Sequence, residues 1–202
     1  MSTHSEEVGS KKRLRIAVFA SGSGSNALAL MRRFGIENDF ASVMVLVTNK
    51  PACGAVQHAR DCGVEVFLIT RENFISGDET IRYLTELQID WIVLAGFLWK
   101  VPPAFVKSFE GRIINLHPSL LPKFGGKGMY GRHVHEAALG AKESITGITV
   151  HYVNERYDEG NIIFQASVPL SETDGVIDIE QKVRALESQH FCDVVDRILA
   201  ES

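Results

Sequence analysis

The stretch Ile113-Ile114-Asn115-Leu116-His117-Pro118-Ser119-Leu120-Leu121-Pro122 begins as an apolar strand and ends as a polar loop. Side chains alternate along a strand, so Asn115 and His117 lie on the same side of the backbone. Pro118 and Pro122 lack a backbone N–H and end the strand. An amide beside an imidazole at a strand end suits a reaction in which an oxyanion develops. The residue types leave open a second interpretation, in which both side chains only hydrogen-bond the following turn.

Strands and helices alternate through the first half of the chain. Short apolar runs bounded by Gly, Pro or polar residues predict strands at 16–20, 43–47, 64–69, 91–95 and 113–116. The segments between them predict helices at 26–34, 52–61, 78–87 and 102–108. Strands that are apolar throughout and separated by helices are typical of a parallel sheet covered on both faces.

The pattern changes after His117. A glycine-rich loop at 123–132 precedes a short predicted helix at 133–139 and two β-rich runs at 145–153 and 161–168. A polar, charged connection joins these two runs, which predicts an antiparallel pair with a long loop. A helix with apolar residues at helical spacing follows from Val176. The predicted fold class is therefore α/β: a Rossmann-like, mostly parallel sheet with helices on both faces and antiparallel strands in the C-terminal half.

Size and composition exclude several classes of protein. The chain has 202 residues, of which 45% are hydrophobic and 23% charged, enough for one substantial core. Its net charge of -4 gives no basic surface for nucleic acid, and no apolar run approaches the ~20 residues of a membrane span. The three cysteines show no C-x-x-C spacing and are interpreted as reduced thiols. We predict a disordered tail at 1–13, a single domain at 14–202 and a cytoplasmic location.

The turn from Gly22 to Asn26 lies between a predicted strand and a predicted helix. Glycine lets the backbone approach a ligand, and a helix N-terminus offers free N–H groups to an anion, so we predict that Gly24, Ser25 and Asn26 bind a phosphate. The glycine spacing also fits a dinucleotide-binding turn, but 48–51 holds no acidic residue for the ribose of NAD, and Lys50 leaves NADP open. A tight turn that binds nothing is the third interpretation.

The remaining histidines carry no functional prediction. They lack the His-Glu-x-x-His spacing of a metal site, so no metal is predicted. His135, on a predicted helix, and His151, in a predicted strand, are interpreted as structural residues that make hydrogen bonds.

These motifs resemble those of the 10-formyltetrahydrofolate-dependent formyltransferases. The resemblance rests on the signature at 113–122, the turn at 22–26, Val93-Leu94-Ala95-Gly96-Phe97 and Tyr157-Asp158-Glu159-Gly160, and it runs from about Arg15 to near the C-terminus. The signature with its downstream Asp-x-Gly is specific, whereas the glycine-rich turn alone is not. The resemblance implies transfer of a formyl group from the co-substrate 10-formyltetrahydrofolate to the amine of 5′-phosphoribosylglycinamide in purine synthesis, with no metal.

The resemblance also implies roles for individual residues. Asn115 and a protonated His117 would donate hydrogen bonds to the oxyanion, and Asp158 would orient His117; by composition alone, Asp158 is a solvated loop carboxylate. Contacts to the amine or ribose of the acceptor are implied for Pro118 and Glu187. The implied folate-binding residues are Phe97, Leu98, Trp99, Val101, Val153 and Asn154. The chain departs from the family pattern at Trp99, where arginine is common, and at Glu159, where glycine is frequent.

Three alternatives remain. A formyltetrahydrofolate hydrolase would use water as the acceptor and usually carries an additional N-terminal domain, and a methionyl-tRNA formyltransferase needs a C-terminal RNA-binding domain; the short segment before Arg15 and the end of the chain disfavour both. A non-catalytic module that binds a phosphorylated metabolite would keep 22–26 without needing the catalytic residues. The predicted partners are small molecules, with no nucleic acid and no membrane, and the predicted state is a monomer or homodimer.

Overall fold

In a computed structural model that describes residues 12–202, seven strands form one mixed sheet between two layers of helices. The strands are β1 (Leu14–Phe19), β2 (Ala41–Thr48), β3 (Glu65–Leu68), β4 (Trp91–Leu94), β5 (Ile113–His117), β6 (Ile145–Tyr152) and β7 (Ile162–Pro169). The helices are α1 (Ser25–Arg33), α2 (Gly54–Asp61), α3 (Arg71–Ser76), α4 (Asp78–Glu86), α5 (Pro103–Ser108), α6 (Arg132–Gly140) and α7 (Val176–Ala200).

The sheet has the strand order β3-β2-β1-β4-β5-β6-β7. Strands β1 to β5 pair in parallel, whereas β6 pairs antiparallel with both β5 and β7. The predicted Rossmann-like fold with antiparallel C-terminal strands is therefore confirmed. Strand order reverses between β1 and β4, and in open α/β sheets ligands bind at the carboxyl ends of the strands beside such a reversal.

Alternating side chains of β1 show how the sheet is buried on both faces. Ile16 and Val18 belong to a core formed with α1, α2 and α7, whereas Ala17 and Phe19 belong to a core formed with α3, α4 and α5. All four are at most 1% exposed. Burial on both faces explains why the sequence of this strand is apolar throughout rather than alternating.

Helix α3 was not predicted from the sequence, which indicated one helix at 78–87 only. The side chain of Thr70 caps α3 by accepting a hydrogen bond from the Asn73 N–H (3.2 Å), and Gly77, at φ 79°, ends α3 and precedes α4. Phe74 is 1% exposed and its ring lies 4.9 Å from that of Phe105 and 5.3 Å from that of Phe97. A helix of six residues is too short for its hydrophobic periodicity to be recognised in the sequence. The buried ring of Phe74 holds α3 in place.

Helix α7 packs against α1, α6, β6 and β7, which brings its first half over the carboxyl edge of the sheet. None of the helices within residues 12–202 is long and apolar enough to cross a membrane. Of the predicted N-terminal tail, residues 1–11 lie outside the described residues. Lys12 pairs with Asp90 (2.9 Å), and Arg13 donates a hydrogen bond to the carbonyl of Gly35 (2.7 Å).

Candidate active site

A cavity of about 490 Å³ opens at the carboxyl ends of β1, β4 and β5. It lies beside the strand-order reversal, where the fold favours a ligand site. Every site residue predicted from the sequence lines this cavity: Gly24, Ser25, Asn26, Phe97, Leu98, Trp99, Val101, Asn115, His117, Pro118, Val153, Asn154, Asp158 and Glu187.

The glycine-rich turn forms one end of the cavity and leads into α1. Gly24 has φ 82°, and a Cβ there would lie 2.5 Å from the Cα of Ala55, so this glycine is needed both for the turn and for contact with α2. A Cβ at Gly22 would meet nothing within 4 Å. The first turn of α1 contains no acidic residue of its own, and the positive end of the helix dipole faces the cavity. The turn therefore has the geometry of an anion site.

Glu187, on α7, contacts this turn across 161 residues of sequence. The side-chain amide of Asn26 donates a hydrogen bond to Glu187 Oε2 (2.9 Å). Burial raises the pKa of Glu187 above its usual value, and the bond from Asn26 opposes that shift. One hydrogen of the Asn26 amide is thus already engaged, which leaves its second hydrogen and the backbone N–H groups of the turn available to a ligand.

The three residues predicted to be catalytic lie together. His117, at the end of β5, is 4% exposed, and its Nδ1 lies 3.7 Å from Asp158 Oδ1, which is close enough for an ion pair but too long for a hydrogen bond. The other carboxylate oxygen, Oδ2, accepts a hydrogen bond from the backbone N–H of Gly126 (2.8 Å). Asn115 lies two residues before His117 on the same face of β5.

The imidazole of His117 makes a hydrogen bond to the loop that follows β5. Its Nε2 lies 2.8 Å from the carbonyl oxygen of Phe124, which can only accept, so Nε2–H donates to this loop carbonyl. In this conformation the loop, rather than the cavity, receives the His117 donor. The sequence left the conformation of this loop open.

The Asp-x-Gly motif has a steric cause. A Cβ on Gly160 would lie 1.7 Å from the carbonyl oxygen of Tyr152, so only glycine lets the 153–161 loop fold back onto the end of β6. Asp158 adopts φ 54°, a left-handed conformation that aspartate tolerates better than most residues. The loop consequently carries the Asp158 carboxylate over the buried end of β5.

His151 is a site residue that sequence reasoning missed. It is the cross-strand partner of Asn115 and is 2% exposed, and its Nε2 lies 3.0 Å from Asn115 Nδ2 and 3.7 Å from Asp158 Oδ1. Its Nδ1 lies 2.8 Å from the carbonyl oxygen of Tyr152. Burial lowers the pKa of His151, which favours the neutral ring. In the sequence, Thr149 and His151 are two residues apart, as Asn115 and His117 are, which indicates that each pair lies on one face of its strand. This spacing alone does not show that the pairing of β6 with β5 places His151 opposite Asn115.

Thr149 fixes the loop that follows His117. Its hydroxyl donates a hydrogen bond to the carbonyl of Ser119 (2.6 Å) and accepts bonds from the Leu121 N–H (3.0 Å) and from Gln165 Nε2 (2.9 Å). Thr149 is fully buried, and it is the cross-strand partner of His117. The polar end of the signature stretch is thus tied to β6.

The predicted folate-binding segment divides into two kinds of residue. The ring of Phe97 lies 5.3 Å from those of Phe19 and Phe74, and the ring of Trp99 lies 5.8 Å from that of Phe74, so both rings contact the aromatic core behind the cavity wall. Leu98 is 36% exposed, and its N–H donates to the hydroxyl of Ser21 (3.4 Å). Leu98 therefore presents apolar surface at the cavity while Phe97 and Trp99 support it.

No arrangement of His, Cys, Asp and Glu side chains within the described part of the chain could hold a metal ion. A profile of formyl transferases matches residues 14–195, which includes every element of the sheet and the cavity. This chain belongs to the formyl transferase family.

Individual relatives of this formyl transferase are similar along most of its length. A protein of Vigna unguiculata named phosphoribosylglycinamide formyltransferase, chloroplastic, is 37% identical over 194 residues, covering 94% of this chain and 62% of the relative. The phosphoribosylglycinamide formyltransferase of Bacillus subtilis is 35% identical over 189 residues, covering 92% of this chain and 94% of the relative. The chain thus spans under two thirds of the plant relative and nearly all of the bacterial one.

A solved structure also shares the fold of this formyl transferase. The crystal structure of phosphoribosylglycinamide formyltransferase from Anaplasma phagocytophilum superimposes with a TM-score of 0.85 at 32% identity, covering 94% of this chain and 88% of the other. The mixed sheet and its helices are therefore those of known formyl transferases.

Proposed function

We propose that this formyl transferase moves a formyl group from 10-formyltetrahydrofolate to the amine of 5′-phosphoribosylglycinamide, a step of purine biosynthesis. One observation carries the proposal: an anion-binding turn and the group Asn115, His117 and Asp158 line the same cavity. A binding module for a phosphorylated metabolite needs the turn but not the catalytic group. The names of the relatives in Vigna unguiculata and Bacillus subtilis support this acceptor.

The acceptor would lie between the turn and the end of β5. Its phosphate would accept hydrogen bonds from the backbone N–H groups of Gly24, Ser25 and Asn26. Its ribose and amine would extend towards Pro118 and Glu187, which line the cavity between the turn and His117. The hydrogen bond between Asn26 and Glu187 would join the two ends of this subsite.

The folate would lie on the other side of the reacting centre. Leu98 and Val101 supply apolar surface, and Val153 and Asn154 follow β6 beside them at the cavity wall. The rings of Phe97 and Trp99 would act from behind this surface by fixing its backbone, because they pack into the aromatic core. A flat pterin suits a wall that is mainly apolar with a few polar groups.

The chemistry follows from the donors that surround the reacting carbon. The acceptor amine attacks the formyl carbon, the new C–N bond forms, and the carbonyl electron pair moves to oxygen. A side-chain N–H of Asn115 would stabilise that oxyanion, and His117 would add a second donor once its Nε2–H leaves the Phe124 carbonyl. The intermediate collapses with cleavage of the bond to folate N10, which takes the proton released by the amine. Loss of one such donor typically costs ~2.7–4 kcal/mol of barrier.

An assay with and without the acceptor tests the proposal. Without an acceptor, the protein should consume 10-formyltetrahydrofolate slowly. Addition of phosphoribosylglycinamide should raise the rate of consumption by roughly tenfold or more, because its amine is the positioned nucleophile. Equal rates in both conditions would identify a hydrolase instead. Binding of the phosphorylated acceptor without any consumption would identify a binding module.

We also propose the single domain at 14–202 as the formyl transferase unit. The cytoplasmic location stays a prediction, because two plant relatives are named as chloroplastic proteins. The monomeric or homodimeric state is likewise a prediction.

A further inference from the structure

The junction between β5 and β6 brings a second imidazole, His151, to the reacting side of the sheet. We propose that His151 is a positioning residue that fixes the side-chain amide of Asn115, so that one N–H of Asn115 stays directed to the substrate oxygen. The proposal rests on the proposed formyl transfer, and it assigns His151 a role in catalysis through Asn115 rather than a contact with substrate.

The first step of the argument is the tautomer of His151. The carbonyl oxygen of Tyr152, 2.8 Å from Nδ1, has no hydrogen to donate, so Nδ1 must carry the proton. In a neutral ring Nε2 then has a lone pair, and the atom 3.0 Å from it must donate. The side-chain nitrogen of Asn115 meets that requirement.

The second step is the orientation of the Asn115 amide. An asparagine amide can turn over and exchange its oxygen with its nitrogen, which would convert a donor into an acceptor. With Nε2 unprotonated, the reversed orientation would place two acceptors 3.0 Å apart in a buried site, where an unpaired acceptor is costly. The bond to His151 therefore selects one orientation and leaves the second N–H of Asn115 for a substrate oxygen.

The third step is the rigidity of the support. Asn115 and His151 are register partners on adjacent strands, and the β6–β7 pairing shifts register between Val150 and His151. Gly160 packs directly on the Tyr152 carbonyl that accepts from His151. Both hydrogen-bond partners of the His151 ring, the Asn115 amide and the Tyr152 carbonyl, are thus held in place by the surrounding backbone.

Protonation of His151 would reverse this arrangement. A proton on Nε2 would face the N–H groups of Asn115 instead of accepting from them, and Asp158 Oδ1, 3.7 Å away, would attract it. His117 on β5 also faces the ring and, in the same direction as burial, lowers the pKa of His151. Asn115 would then lose the bond that selects its orientation.

Four variants test the role in turnover: His151→Leu, His151→Gln, Asn115→Ala and the double change His151→Leu with Asn115→Ala. His151→Leu should lower kcat by roughly tenfold to hundredfold while the KM of either substrate changes less than about twofold, because the lost interaction matters in the transition state. His151→Gln should recover most of the loss, since its side-chain oxygen can accept from Asn115. In the Asn115→Ala background, His151→Leu should cost less than about threefold.

Thr146→Val is the matched control. Thr146 lies on the same strand and is 4% exposed, but it does not line the cavity, so kcat should be unchanged. Full kcat in His151→Leu, losses that add fully in the double variant, or a folded His151→Gln no better than His151→Leu would each overturn the proposal.

A spectroscopic measurement separates this proposal from the proposed function. Protein labelled with ¹⁵N at histidine should show one ring with protonated Nδ1 and unprotonated Nε2 at pH 7.5, and that signal should vanish in His151→Gln. A ring with protonated Nε2 would overturn the assignment whether or not the protein transfers formyl groups. If the tautomer is found but phosphoribosylglycinamide is never formylated, the proposed function fails and the Asn115–His151 pairing stands.

Discussion

Asp158 accepts a hydrogen bond from the backbone N–H of Gly126 at 2.8 Å, so the carboxylate that faces His117 also holds the loop above it. The same loop receives the Nε2–H of His117 at the carbonyl of Phe124. His117 and Asp158, two of the three residues predicted to be catalytic, are therefore tied to one loop. For His117 to reach a substrate oxygen, the Phe124 carbonyl has to move away, while the contact at Asp158 can remain.

His117 and Asp158 should behave as one unit in kinetics. His117→Ala and Asp158→Asn should each lower kcat by roughly 10²-fold or more, and the double variant should be little worse than either, because the carboxylate acts through the imidazole. Steady-state rates with saturating substrates measure the losses, and calorimetry should show that folate still binds.

Asp158→Asn keeps an oxygen that can accept from Gly126, so it removes the charge and preserves the contact with the loop. Glu159→Gln is the matched control, since Glu159 is the exposed neighbour of Asp158 and should leave kcat unchanged. Losses that multiply fully in the double variant would argue against coupling.

The glycine-rich turn should determine acceptor affinity. Gly22→Val should weaken acceptor binding by roughly tenfold or more, because the added side chain has open space at the cavity and blocks approach of an anion to the backbone. Titration calorimetry with phosphoribosylglycinamide and with a folate measures the two affinities separately, and the thermal midpoint should stay near that of the wild type.

Gly24→Val is a poorer test, although the sequence suggests it. A Cβ there would lie 2.5 Å from the Cα of Ala55, so loss of binding would be mixed with loss of packing. If Gly22→Val abolished folate binding and left acceptor affinity intact, the folate or a dinucleotide would occupy the turn.

Thr149→Val should destabilise the fold. The change leaves the Leu121 N–H and the Ser119 carbonyl without their buried partner, so we expect a loss of about 2–4 kcal/mol in unfolding free energy. Urea denaturation measures it, and Thr146→Val, which changes the same atoms elsewhere on β6, should cost clearly less. Equal losses in the two variants would show that the loop after His117 does not depend on this hydroxyl.

Stability should fall as the pH drops below ~6.5, the usual pKa of histidine. Burial lowers the pKa of His135 and of His151, so the folded state favours the neutral form of each ring. The stability that is present above pH ~6.5 is therefore lost as the pH falls through the lowered pKa. His135 is faced by Glu180 and Arg184 of α7 and by His117, and its buried Nδ1 has no partner within the described residues.

His135→Leu should therefore flatten the decline of the urea midpoint between pH 8 and pH 5, with its largest gain over the wild type at the acid end. Glu180 raises the pKa of His135 while Arg184 and His117 lower it, but burial is the largest influence. An unchanged pH profile would show that His135 takes up its proton as easily in the folded state as in the unfolded state.

Much of the candidate site could be proposed from the sequence, because local patterns mark its residues. The two-residue spacing of Asn115 and His117, the turn at 22–26 and the Asp-x-Gly at 158–160 were all recognisable, and the fold brings them to one cavity. What the sequence lacked was the information that depends on register and loop closure. The pairing of His151 with Asn115 requires the alignment of β5 against β6, and the bond from His117 to Phe124 depends on how a loop of several glycines folds back.

The direction of β6 has a consequence for how activity returns after unfolding. Strands β1, β4 and β5 run in parallel and are followed by the turn at 22–26 and by the wall segment at 97–101, and β5 carries Asn115 and His117; all of these lie between residues 14 and 117. The antiparallel segment supplies Thr149, His151 and Asp158. Its strand β6 must pair with the edge of β5 in one register before the His151 imidazole reaches the Asn115 amide. Catalytic activity regained on dilution from denaturant therefore reports the docking of β6 on β5, whereas circular dichroism and tryptophan fluorescence also report the parallel half.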